Sequence, residues 1–90
     1  MSYTIRYAKS FKKHVKKLNL SDKEKLYQVI EKLANNEILE AKYKDHALKG
    51  EYKDFRECHI KPDLLLIYQI QENLLILTCV SVGKHSELFG

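Results

Sequence analysis

The sequence predicts one small α+β domain over residues 1–90, ordered β-α-α-β-β-β, an antiparallel-dominated twisted sheet with a helical hairpin packed on one face. Three observations predict it. Apolar residues recur at helical spacing twice in the first third of the chain. Apolar and β-branched runs bounded by turn residues fill the second half. One proline and three glycines are too few for a linker-rich or disordered chain.

The elements follow in order. Tyr3 to Tyr7 alternates aromatic or β-branched residues with polar ones, as a short first strand does. Phe11, Val15 and Leu18 then recur at helical spacing, while Lys9, Lys12, Lys13, Lys16 and Lys17 occupy the other side. That is an amphipathic helix with a cationic face. Ser21-Asp22-Lys23-Glu24 matches a capping box, with Ser21 serving the free backbone N–H groups of a second helix. Leu26, Val29, Ile30 and Leu33 form its apolar stripe, and Asn35-Asn36 ends it. From Ile38 to Tyr52 the pattern is weak: a loop leading into a strand near Ala47-Leu48-Lys49.

Beyond that the chain turns β. Phe55 to Ile60 is a strand, and Lys61-Pro62-Asp63 reverses it, Pro62 setting φ at the turn. Leu64 to Ile70 is nearly all apolar, as expected of a central strand covered on both faces. Gln71-Glu72-Asn73 turns again, Leu74 to Val82 is the last long strand, and an extra strand or turn closes the chain. These strands should form an antiparallel meander with the helix pair on one face. The other face is left partly open, and the chemistry is expected there.

Composition sets the class. A chain with 44% hydrophobic and 31% charged residues is globular, and its net charge of +4 favours a polyanionic partner through counterion release from phosphates. Met1-Ser2-Tyr3-Thr4-Ile5-Arg6 lacks the apolar core of a signal peptide. No segment approaches the ~20 apolar residues of a membrane span. A cytoplasmic protein without membrane contact is expected, its Cys58 and Cys79 reduced and buried, since they show no CxxC spacing.

Histidine supplies the candidate chemistry, because its ordinary pKa of ~6.5 lets it give or take protons near neutrality. Three short blocks hold the informative residues: Asp45-His46-Ala47-Leu48-Lys49-Gly50, Arg56-Glu57-Cys58-His59-Ile60-Lys61-Pro62-Asp63 and Gly83-Lys84-His85-Ser86-Glu87-Leu88-Phe89. Strand alternation puts Phe55, Glu57 and His59 on one face and Arg56, Cys58 and Ile60 on the other. Pro62 rules out a helix carrying His59 and Asp63, but Asp63 can approach His59 across the tight turn. His85 follows a strand end at the sheet edge, and Phe89 lies four residues beyond it. His14, between lysines, reads as surface. Gaps of 13 and 26 residues between His46, His59 and His85 match no compact zinc motif. No Gly-rich phosphate loop, GxSxG or HExxH is present.

Taken together and in order, the three blocks, extended to Lys44, Phe55 and Gly90, resemble the YafQ branch of the RelE/ParE toxin superfamily. The resemblance covers almost the whole chain. It implies the toxin of a type II toxin–antitoxin pair, an mRNA endoribonuclease acting in the ribosomal A site of the 30S subunit. It also implies no metal or other cofactor, and cleavage by attack of the ribose 2′-OH on the adjacent phosphate. The family's functional positions fall on His46, His59, Asp63, His85 and Phe89, with Glu57 where an acid also stands. Two positions depart from the pattern. Ala47 replaces the proline usual after that histidine, and Leu64 stands where some members carry an aromatic.

Such a cleavage needs a base for the 2′-OH, an acid for the 5′-oxygen and cations for the charge on the phosphorane. On that scheme His85 is the acid, and His59, or Asp63 acting with it, is the base. His46 and Arg56 steady the phosphate, although strand parity turns Arg56 away. Phe89 stacks on or positions a base. The lysine face of the first helix would contact ribosomal RNA backbone. The partners implied are an antitoxin, the ribosome and mRNA. The alternatives are a ParE-like toxin acting on gyrase and a noncatalytic binding module for nucleic acid or protein.

Overall fold

The computed structural model describes residues 2–89. The strands are β1 (Thr4–Tyr7), β2 (His46–Ala47), β3 (Arg56–Lys61), β4 (Leu64–Gln71) and β5 (Ile76–Gly83). The helices are α1 (Lys9–Val15), α2 (Leu20–Ala34) and α3 (His85–Phe89), and single 3₁₀ turns occupy Ala41–Tyr43 and Gly50–Tyr52. The sheet has the order β1-β5-β4-β3-β2. From β2 to β5 it is the predicted antiparallel meander, while β1 joins the β5 edge in parallel.

Packing rather than capping holds α2 in place. Its stripe of Leu26, Val29, Ile30 and Leu33 is buried, with Leu26 fully enclosed. Each such side chain is worth about 1.5–3 kcal/mol on burial, whereas an N-cap contributes about 1 kcal/mol. The cap is Asn19 and not Ser21: the Asn19 side chain accepts from Asp22 N at 2.8 Å, and Ser21 already lies inside the helix. Extended backbone at Asn19 leaves its short side chain aimed at the free N–H groups, a geometry Ser21 loses once it is helical.

β4 sits between β3 and β5, and Leu64, Leu65, Leu66, Ile67 and Tyr68 are all buried in succession, as the apolar run requires. Leu64, Leu66 and Tyr68 join Phe11, Cys58, Leu77, Cys79 and Val82 in the core under the helices. Both cysteines are free and buried, and burial pushes the Cys79 thiol up to about 12.

Three local expectations are corrected. The strand expected near residues 47–49 is the two-residue β2, because a 3₁₀ turn starting at Gly50 takes over directly. The last strand starts at Ile76 rather than Leu74, since Leu75 has φ 54 and completes the turn. The chain closes not on a strand or open turn but on the one-turn α3. Lys84 N donates to Glu87 Oε1 at 2.8 Å, starting that helix. Gly83 permits the fold-back, because a Cβ there would lie 3.1 Å from Glu87 Oε1.

Where β1 ends, α1 takes its place along β5. His14 therefore faces inward rather than reading as surface: its Nδ1 lies 2.9 Å from Ser81 Oγ, which also accepts from Ser10 Oγ at 3.0 Å. A bulge at Ile67/Tyr68 shifts the β4–β5 register and turns Ser81 to the face opposite Val82.

Candidate functional site

The site lies on the sheet face away from α2, and strand register assembles it. Alternation along β3 sends Cys58 and Ile60 into the core and Glu57 and His59 to the other side. β2 pairs with His46 directly opposite Glu57, so the two side chains share that face. Glu57 Oε1 consequently stands 3.6 Å from His46 Nε2 and 3.6 Å from His59 Nε2. Glu57 is only 6% exposed. A carboxylate removed from water is costly unless compensated, and here two imidazoles flank it.

His46 is anchored at its other nitrogen. Nδ1 donates to the Lys44 carbonyl at 2.6 Å, which leaves Nε2 as the atom turned toward Glu57. Lys44 adopts φ 47, a left-handed conformation uncommon for a residue with a side chain. One residue further on, Asp45 is bound to the opposite face of the sheet. It accepts from the Tyr68 hydroxyl and pairs with Arg56 Nη2 at 3.4 Å. Arg56 Nε donates to the same hydroxyl at 3.3 Å. Burial, and then the hydrogen bond to Asp45, holds the Tyr68 hydroxyl well above the ordinary range. Asp45 and His46 thus straddle the sheet edge, one clamped below and one presented above.

The second wall of the site comes from the far end of β5. Cross-strand neighbours run His59–Leu65 and Leu65–Gly83, and His85 follows two residues later as the first residue of α3. An open cleft of about 410 Å³ lies along this row. Glu57, His59 and Asp63 line one side, and Lys84 and His85 line the other. The His85 ring is 4.9 Å from the Phe89 ring across one helical turn, and Phe89 meets Tyr52 edge-on at 5.5 Å. Gly50 with φ 69 makes the turn that presents Tyr52.

The sequence candidates therefore divide. His59, Glu57, Asp63 and His85 share one cleft, with His46 behind Glu57 and Phe89 behind His85. The carboxylate facing the His59 ring nitrogen is Glu57, whereas Asp63 lines the cleft from the β3–β4 turn. Arg56 does not join them, because alternation turns it to the Asp45–Tyr68 side. Lys9, Lys12, Lys13, Lys16 and Lys17 are exposed along α1 and the turn after it.

Three contributors were not singled out from sequence. Lys84 supplies the cleft with a cation, and its only sequence signal is adjacency to His85. Tyr52 and Tyr68 act through partners 37 and 23 positions away, which no local pattern discloses. Among the described residues, no group of three or more His, Cys, Asp and Glu is gathered so as to hold a metal ion. What the cleft offers is proton-transferring side chains on both walls, with a cation at one rim.

The comparisons agree in family and fold. The family described as "Bacterial toxin of type II toxin-antitoxin system, YafQ" matches residues 3–90. The chain is 38% identical over 89 residues to the mRNA interferase toxin YafQ of Escherichia coli K12, covering 96% of this chain and 95% of that protein. The crystal structure of a metal-bound toxin from Helicobacter pylori superposes with a TM-score of 0.85 at 48% identity, covering 99% of this chain and 100% of that one. The E. coli DinJ–YafQ toxin–antitoxin complex gives 0.83 at 35% identity, covering 100% of each chain.

Proposed function

The chain belongs to the YafQ family of bacterial toxins of type II toxin–antitoxin systems, and from that membership we propose that it is a ribosome-dependent mRNA interferase working by histidine acid–base catalysis. The observation that carries the reading is the cleft itself. A buried carboxylate lies 3.6 Å from the imidazole of His59 on one wall and from that of His46 behind it, and a third imidazole, His85, lines the same cleft. Acid and base on opposite sides of a bound phosphodiester are what an in-line displacement needs.

In this scheme His59, with Glu57 behind it and Asp63 beside it, takes the proton from the ribose 2′-OH. The freed oxygen attacks phosphorus, and the bond to the 5′-oxygen breaks. His85 gives its proton to that departing oxygen, leaving a cyclic 2′,3′-phosphate and a 5′-hydroxyl. Lys84 steadies the negative charge on the phosphoryl oxygens, while His46, behind Glu57 with its Nδ1 on the Lys44 carbonyl, orients that carboxylate. Lys84 takes over the role that sequence assigned to Arg56. Phe89, braced by Tyr52, offers a ring to a base. Every step is assigned to side chains, and none passes through a metal.

The lysine face of α1 contacts ribosomal RNA backbone, whose charge it complements without reading sequence. The E. coli relative is known in complex with DinJ, and a cognate antitoxin neutralises this chain too. No helix among the described residues is long and apolar enough to cross a membrane, and the proposed place of action is the cytoplasm, with the ribosome.

The test is primer extension on mRNA bound to purified 70S ribosomes, with the ribosome's own magnesium as the only divalent cation. Wild type should cut at positions phased with the reading frame. His85→Ala should lose about 10²–10⁴-fold in rate, the worth of a positioned acid, with its fold intact because His85 is exposed. Full activity in that variant would remove His85 from the mechanism. No cuts from folded wild type would move the target to gyrase or to a bound partner.

A further inference from the structure

A second groove adjoins the cleft, of about 520 Å³, between α2 and the 3₁₀ turn at Ala41–Tyr43. Lys25, Lys42, Lys44 and Lys61 border it, over an apolar floor that includes Val29 and Ile60. Among the described residues no carboxylate lines it. Two further observations tie it to the site already described. His59 and Pro62 border both the groove and the cleft, so the two adjoin at the end of β3. The groove's rim and the His46 anchor are also one segment, Lys42 to His46, with the Lys44 carbonyl holding the His46 ring.

We propose that this groove is a binding subsite for single-stranded RNA flanking the cleaved bond, a site distinct from the lysine face of α1. The inference rests on the nuclease reading and deepens it by giving the strand a course. Phosphates lie against Lys25, Lys42 and Lys44, and the sugar and base face lies on Val29, Ile60 and the half-buried Tyr43. Lys61 contributes less, because Asp22 Oδ1 engages its ammonium at 3.1 Å. The volume suits a nucleotide-sized group, small-ligand pockets running from about 300 to 1,000 Å³. From the groove the strand turns about His59 and Pro62 into the cleft, delivering the next phosphodiester between His59 and His85.

The probe is a 2′-deoxy hexanucleotide, which lacks the attacking hydroxyl, compared with a deoxy dinucleotide holding a single phosphodiester. Binding is followed by amide NMR shifts and by fluorescence anisotropy over a range of salt. The hexanucleotide should shift Gln28, Lys42, Tyr43 and Ile60 as well as His85, and the dinucleotide only the cleft. Lys25→Gln with Lys42→Gln should weaken hexanucleotide binding about 25-fold at ~0.1 M salt and reduce its salt slope by ~1.4, at ~0.7 for each phosphate no longer neutralised. Dinucleotide binding should be unchanged, which also shows that the variant is folded. Unaltered hexanucleotide affinity and slope, or shifts confined to the cleft, would overturn the subsite while leaving the His85→Ala cleavage result standing. Groove shifts produced by a poly-glutamate peptide but not by the oligonucleotide would overturn it in favour of a protein ligand. Ribosomal cleavage absent from a wild type that still binds the hexanucleotide in the groove would count against the nuclease reading alone.

Discussion

Tyr68→Phe isolates the clamp that presents His46. The substitution deletes one hydroxyl from a side chain that is 1% exposed and keeps the ring that fills the core. It removes two hydrogen bonds, one donated to Asp45 and one accepted from Arg56 at 3.3 Å. A hydrogen bond to a charged group contributes about 1.5–3 kcal/mol. Asp45 keeps its pairing with Arg56, so no buried charge is orphaned and the lower end, about 1.5 kcal/mol, applies. For a domain of this size that lowers Tm by roughly 6–12 °C, at about 4–8 °C per kcal/mol. Function should suffer separately. Asp45 immediately precedes His46, and loosening it lets the imidazole drift from Glu57. A displacement near 1 Å can cost ~10² in rate, so kcat should fall between about tenfold and a hundredfold. Thermal melts and ribosomal cleavage would be measured for Tyr68→Phe, Asp45→Asn and the double variant. Strong non-additivity in Tm is expected, since both changes break one interaction. A single variant that melts within ~1 °C of wild type and cleaves at its rate would refute the clamp.

Three further outcomes follow from the same geometry. Glu57→Gln keeps the shape between His46 and His59 but removes the carboxylate that orients the base, so cleavage should drop by about tenfold or more, part of the ~10²–10⁴-fold a positioned base contributes, and wild-type turnover would show that the carboxylate is idle. Stability should decline in alkali, as urea midpoints measured up to pH 11 would record. Burial raises both thiols in the fold, Cys79 from the ordinary 9.0 to about 12, and Cys58 well above its ordinary value as well. The folded state therefore keeps protons that the unfolded chain gives up. The contribution is intact below the unfolded value, 9.0, and is lost as pH climbs toward the folded one; each thiol costs up to about 1.4 kcal/mol per pH unit, and a flat curve would contradict the burial. Replacing Lys12, Lys13, Lys16 and Lys17 by glutamine should weaken ribosome binding and flatten its salt dependence by ~0.7–0.9 for each phosphate left unneutralised; unchanged binding would take α1 out of the interface.

Local periodicity determined most of the elements of this chain. Phe11 in α1 and Leu26, Val29, Ile30 and Leu33 in α2 sit at helical spacing, and all are buried, with Ala34 at the end of α2 beside them. The apolar run from Leu64 is the doubly covered β4, and alternation in β3 by itself separated Glu57 and His59 from Arg56. These are legible because a residue's face in a helix or strand depends only on its near neighbours. Pairings between distant segments are not legible in that way. Only the tertiary structure set β1 parallel to β5, brought His46 opposite Glu57, closed Asp45 onto Tyr68 and turned His14 onto Ser81. Register between strands is decided by turn geometry and by which faces find cover, and a single bulge between Ile67 and Tyr68 is enough to re-aim Ser81. The histidines were visible in the sequence as chemistry without an arrangement. Their arrangement exists only once Glu57 is buried between two strands, with the rings of His46 and His59 each 3.6 Å from its Oε1.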